Sequence, residues 1–270
     1  LTPVSLELGG KNPVIVLDDV DVERVAVSVA HACFAAAGQL CVSAERVLVH
    51  RGIADRFIPA LAEAVASVRL GSAFDYSVDV GSLTSAAQLE RVRAHVDDAV
   101  ARGAAVLAGG RPRPDLGPYF YEPTLLTGVT DQMACARDET FGPVASIVIV
   151  EDDDAAIATA NDTRFGLNAS VFSGSVRRAR RLAERLQAGT ININEGYRAT
   201  FSAVAAPSGG VKLSGLGRRN GPDGILRYTD TVQIARATGI IRLPRTGAEH
   251  ARLAGVMLLG LRALRTIRRG

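Results

Sequence analysis

The chain has 270 residues, 47% of them apolar and 22% charged, which fits one large globular domain or two small ones and excludes a disordered chain. Its formal charge of +3 is unevenly placed: residues 236–270 hold eight arginines against one acid, Glu249, a net of about +7, which leaves the body at about −4. The basicity belongs to a tail, so no nucleic-acid function follows from it.

Taken in chain order, Pro13 to Leu17 is a short apolar run that reads as a buried strand, and Asp21 caps a helix continuing to about Ala37. Arg46 to His50 alternates like a strand, Ile53 to Val68 has helical spacing, and a third helix runs from about Ser85 to Ala101. Strands are expected at 105–107, 144–150, 169–172 and 191–194, with helices at 153–160 and 176–187, and a last strand at 226–235. Strands alternating with helices of this length predict an α/β fold, a mostly parallel sheet with flanking helices and right-handed crossovers. In the tail, Leu253, Met257, Leu261 and Leu264 share one helical face while Arg262, Arg265 and Arg269 share another. Two readings stand for that helix: packing on a neighbouring subunit, or lying on an anionic membrane surface. From the sequence neither a leader segment nor a bilayer-spanning apolar run is expected.

Three cysteines, Cys33, Cys41 and Cys135, are too irregularly spaced for a disulfide framework or a zinc cluster. No metal site is expected, and a reducing, cytoplasmic setting is. Cys41 follows a helix and Gly38, so it falls at a turn where a thiol can be reached, and N–H groups of a following helix could stabilise its thiolate. On its own, such a cysteine is more often core than catalyst; Cys33 and Cys135 receive the core reading. Glu7 lies between Leu6 and Leu8 just before the first strand, where partial desolvation would raise its pKa and suit it to general-base work; a solvated loop carboxylate is the plainer alternative. Glu139 and Phe141 precede a buried strand in Glu139-Thr140-Phe141-Gly142-Pro143. The glycines at 209, 210, 215 and 217 look like a phosphate loop, but the pattern lacks its third glycine and follows no convincing strand.

Together these segments resemble the aldehyde dehydrogenase family. The resemblance is carried by Glu7 to Lys11 (Glu-Leu-Gly-Gly-Lys), Gly38 to Cys41 (Gly-Gln-Leu-Cys) and Glu139 to Pro143, with Gly166-Leu167, Asn192-Ile193-Asn194 and the glycine-rich 209–218 block following in order. It covers residues 1 to about 235. By resemblance, the chain is a catalytic domain of the aldehyde dehydrogenase type. Residues 1–9 would end a cofactor domain, 10–205 form the thiol domain, 206–235 a return segment with an oligomerisation strand, and 236–270 a basic extension.

The resemblance implies that Cys41 is the nucleophile and Glu7 the base that activates water against a thioester. Cys41 N–H and an asparagine side chain would hold the oxyanion. Glu139 would bind the ribose of NAD or NADP, Phe141 would pack near the nicotinamide, the Leu8 carbonyl would face the carboxamide, and Gln88 would add a weaker contact. Segments 192–197 and 217–221 look like the succinate-semialdehyde dehydrogenase branch, with Arg198 the candidate for the substrate carboxylate and a solvated arginine the alternative. Family members are nearly twice as long, so most of the cofactor domain is expected to be absent, including the oxyanion asparagine. The chain alone would then be inactive or nearly so, and a non-catalytic remnant acting at most as a structural module is the competing reading. A homo-oligomer is expected of the full-length protein. A cysteine hydrolase would need a histidine partner, and His31, His50, His95 and His250 sit in helix, strand or tail settings.

Overall fold

A computed structural model describes residues 4–73, 75–236 and 244–267. The chain forms two units, Leu1–Thr229 and Asp230–Gly270. The first is built on a seven-stranded sheet: β1 (Asn12–Val16), β2 (Ala44–His50), β3 (Ala105–Ala108), β4 (Thr124–Thr127), β5 (Val144–Val150), β6 (Asn168–Phe172) and β7 (Thr190–Ile193). The spatial order is β3-β4-β5-β2-β1-β6-β7, with every ladder parallel except β3–β4 at one edge.

Central β1 is buried at every position, as a parallel strand covered on both faces must be. Its side chains alternate between two layers. Val14 and Val16 join Val47 and Val49 against α1 (Val22–Phe34) and α2 (Ala54–Ala66). Ile15 joins Leu48 on the other face, against α4 (Asp153–Asn161) and α5 (Val176–Ala183). The helix α3 (Ala86–Ala101) packs a third cluster with Leu126, Tyr121 and Val144. Asp21 caps α1 as expected, its carboxylate accepting from Arg24 N–H at 3.1 Å.

Three sequence expectations are corrected. The first helix stops at Phe34 because Ala36 and Ala37 take left-handed φ of 53° and 55°, followed by Gly38 at 67°. That conformation is unfavourable for alanine and turns the chain sharply toward Cys41. The helix expected to reach Gln187 ends at Ala183, where the chain turns to bring Gly189 N–H to Gly166 C=O at 3.0 Å. Nor is there a strand at 226–235: Leu226 closes a short helix, Gly221–Leu226, and 227–236 join no ladder. A strand needs a partner, and none of the described residues supplies one there.

In the second unit, α6 (Gly247–Ile267) opens on a capping box, with Thr246 Oγ1 accepting from Glu249 N–H and Glu249 accepting from Thr246 N–H, both at 3.3 Å. Met257, Leu261 and Leu264 are exposed along its apolar face; Arg269 lies outside the described residues. No helix among the described residues is long and apolar enough to cross a membrane.

Leu48, fully buried on central β2, tests the two-layer core. Leu48→Ala is expected to cost about 2–5 kcal/mol in urea unfolding, the sum of lost burial and the cavity left behind.

Candidate active site

The segments singled out in the sequence enter the sheet at one end, just before the N-terminal ends of β1, β2, β5 and β6. Cys41 lies in the turn between Gly38 and β2 and reaches solvent, whereas Cys33 and Cys135 are buried. Gly38 is required there: besides its positive φ, a Cβ would stand 2.2 Å from the Gly142 carbonyl oxygen. Gln39 ties the turn to the next loop, donating to Ser82 C=O at 3.2 Å and accepting from Thr84 N–H at 2.9 Å.

Below the turn, Asn12 Nδ2 donates to the carbonyls of Cys41 and Ser43, both at 2.8 Å, while its Oδ1 accepts from Asn168 N–H at 3.0 Å. Asn168 Nδ2 donates to Val42 C=O and Gly196 C=O, and its Oδ1 accepts from Asn192 Nδ2 at 2.9 Å. These three buried amides cross β1, β6 and β7 and fix the backbone carrying the thiol.

A second buried device sits beside them. Lys11 and Glu45 form an ion pair with side chains 1% and 5% exposed. The Glu45 carboxylate also accepts from Thr140 N–H at 3.0 Å and Phe141 N–H at 2.9 Å, so its charge holds the 139–142 turn. Gln88 supports the same turn by donating to the carbonyls of Thr140 and Phe141 at 2.8 and 2.7 Å. His95 contacts Thr140 Oγ1 at 3.0 Å; burial, helped by the Lys11 charge, holds its pKa below the usual value.

Fixed this way, Glu139 accepts from Gly10 N–H through Oε1 at 2.8 Å. Burial pushes its carboxyl above the usual range. Gly9 and Gly10 fill the space between Glu139 and the thiol turn: a Cβ on Gly9 would lie 2.3 Å from Glu139 Oε2, and one on Gly10 would lie 3.0 Å from the Cys41 carbonyl oxygen. Phe141 adopts φ 52° and is half-buried.

Glu7 differs from the expectation. It forms a two-residue ladder with Gly215 and Leu216, where a Cβ on Gly215 would stand 2.1 Å from Leu6 C=O. Leu6 and Leu8 are 43% and 49% exposed and do not bury the carboxylate between them. Side chains alternate along a strand, so these flanking leucines point away from it. Glu7 is instead engaged by Arg219, Nη1 to Oε2, at 2.8 Å. Leu8 N–H donates to Ser214 C=O at 3.0 Å.

The thiol also departs from expectation, because no helix follows it; the chain goes directly into β2. The Cys41 pKa is raised, first by desolvation and then by the Glu7 and Glu139 carboxylates, while its backbone hydrogen bond and Arg219 pull the other way. Glu139 joins the site at the thiol turn through Gly10, and Arg219 joins it by holding Glu7. Arg198 does not join it as a free cation: its guanidinium pairs with Glu195 at 2.9–3.1 Å. Burial works upward on Glu195, but hydrogen bonds from Arg198 and Gly196 N–H outweigh it and hold the carboxyl below its usual range.

Sequence reasoning missed Asn12, Glu45, Asn168 and Arg219 as site-building residues. The first three carried a signal: a lone amide or carboxylate at the head of an apolar strand run must find buried partners. Arg219 carried none.

The chain belongs to the aldehyde dehydrogenase family, whose model matches residues 1–234. A Mycobacterium tuberculosis (strain ATCC 25618 / H37Rv) protein with the provisional name succinate-semialdehyde dehydrogenase (NADP(+)) 2 is 54% identical over 233 residues, covering 86% of this chain and 45% of that protein. Betaine aldehyde dehydrogenase of Cereibacter sphaeroides is 43% identical over 241 residues, 89% of this chain and 49% of the relative. Among solved structures, Staphylococcus aureus betaine aldehyde dehydrogenase in complex with NAD+ superposes with a TM-score of 0.80 at 37% identity, covering 84% of this chain and 45% of that one. The chain thus spans about half the length of the relatives it matches.

The raised thiol pKa makes the reactive thiolate a high-pH species. Alkylation of Cys41 by iodoacetamide should rise with pH to a midpoint above that of free cysteine. Glu7→Gln, which removes a nearby negative charge, should move that midpoint down; a midpoint unmoved or shifted upward would contradict the arrangement.

Proposed function

We propose that this chain carries the thiol chemistry of an NAD(P)-dependent aldehyde dehydrogenase, with succinic semialdehyde as substrate. The observation that carries this reading is the geometry around the exposed Cys41: Asn12 holds its carbonyl at 2.8 Å, Gly10 lies against that carbonyl, and Glu139, distant in sequence, accepts from Gly10 N–H at 2.8 Å. The relatives named for succinate semialdehyde support the choice of substrate.

The Cys41 thiolate adds to the aldehyde carbonyl and forms a thiohemiacetal on sulfur. This step is needed because hydride loss from the aldehyde itself would develop acylium character. The oxyanion lies where the Cys41 backbone N–H can donate to it. Loss of the hydride leaves a thioester, and Glu7 takes a proton from the water that attacks it, so the acid departs and the thiol is restored.

The half-buried Glu139 carboxylate fits a ribose diol: Oε1 is fixed by Gly10 N–H, and Oε2 accepts no hydrogen bond among the described residues. The close approach of Gly9 leaves no room for a side chain beside it. Glu139 would hold the nicotinamide ribose, Phe141 and the Leu8 carbonyl would border the ring, and Gln88 would support that border. When bound, NAD(P)+ supplies the hydride acceptor.

The test is NAD(P)H absorbance with succinic semialdehyde and either cofactor, on the chain alone and joined to the N-terminal half of the mycobacterial relative. Cys41→Ser should abolish the signal. Glu7→Gln should lower turnover about 100-fold while an acylated Cys41 accumulates, detectable by intact mass. No cysteine-dependent signal in either form would instead favour a non-catalytic role.

A further inference from the structure

We infer that Arg219 recognises the terminal carboxylate of the aldehyde, taking it in exchange for Glu7, so that substrate binding itself releases the base. This rests on the dehydrogenase reading above.

Four other arginines are committed elsewhere. Arg198 is paired with Glu195. Arg218 donates to the carbonyls of Gly210 and Gly217, and Arg227 to Ser5, Tyr228 and the Arg218 carbonyl. Arg46 is buried and donates to the carbonyls of Lys11, Thr159 and Ala160.

Arg219 is placed differently. Its backbone is held by a reciprocal pair of hydrogen bonds with Ser208, Ser208 N–H donating to Arg219 C=O at 2.8 Å and Arg219 N–H to Ser208 C=O at 2.6 Å. Its side chain is 58% exposed and spends one guanidinium nitrogen, Nη1, on Glu7 Oε2. The rest of the planar fork makes no hydrogen bond among the described residues, which leaves room for a bidentate carboxylate. An exposed one-contact pair holds weakly, so a bidentate carboxylate can displace it.

The exchange has two consequences. A short aldehyde with a terminal carboxylate is drawn toward the thiol, because Arg219 holds Glu7 at 2.8 Å, on the segment whose Gly10 lies against the Cys41 carbonyl. Glu7, no longer held, becomes available to water at the thioester. An aldehyde without a carboxylate gains neither.

The experiment compares alkylation of Cys41 in the full chain by iodoacetate, which carries a carboxylate, and by iodoacetamide, its neutral counterpart, read by peptide mass at Cys41. Arg219→Gln should lower the iodoacetate-to-iodoacetamide rate ratio about fivefold, and Arg219→Lys should restore part of it. Glu7→Gln should raise the ratio, and the rise should vanish when combined with Arg219→Gln, because the freed guanidinium is what binds the reagent. An unchanged ratio in Arg219→Gln would overturn carboxylate recognition. A Glu7→Gln rise that survives in full in the double variant would overturn the exchange. A Cys41 inert to iodoacetamide would sink the nucleophile assignment itself, a failure distinguishable from either.

Discussion

The buried pair of Lys11 and Glu45 is the constraint on which the site depends. Lys11 closes the glycine segment that follows Glu7, Glu45 lies four residues past the thiol, and the Glu45 carboxylate caps the amides of Thr140 and Phe141. One carboxylate therefore joins three chain segments that the sequence keeps far apart. Such a pair adds little net stability, since desolvating two charges offsets most of their attraction. Removing one partner strands the other in the interior, at a cost of about 3–5 kcal/mol. Its role is positional: the pair is neutral as a unit, and the Glu45 carboxylate, bonded to the amides of Thr140 and Phe141, holds the 139–142 turn.

The asparagine chain performs the same service for the thiol. Asn12 and Asn168 each open a largely apolar strand and bond each other and the loop backbone, and Asn192, third in β7, bonds Asn168 and Thr200. The cysteine turn thereby sits at the N-terminal end of the sheet while its side chain stays accessible. Burial first, and then the Glu7 and Glu139 carboxylates, raise the pKa of the Cys41 thiol. A neutral resting thiol is less exposed to oxidation than a permanent thiolate.

Much of this was legible in the sequence. The strand–helix alternation fixed the fold class, and the short motifs at 7–11, 38–41 and 139–143 picked out segments that do converge. What pattern reading missed follows from its local reach. The strand Thr124–Thr127 shows no alternation and follows Pro123, so only its neighbours β3 and β5 define it. The segment 226–235 is rich in strand-forming residues, but propensity does not supply a ladder. The leucines beside Glu7 suggest desolvation, whereas its environment is set by Arg219, 212 residues away. The same long-range placement hid Arg219, which looks in sequence like any surface arginine.

The role of the Lys11–Glu45 pair is tested most directly by hydrogen exchange at the amides of Thr140 and Phe141 in the native chain and in Glu45→Gln. The account predicts slow exchange at both amides in the native chain. In the variant both should accelerate together, while the β5 amides paired to β2 keep their protection. Fast exchange of Thr140 and Phe141 in the native chain, or protection unchanged in Glu45→Gln, would contradict it.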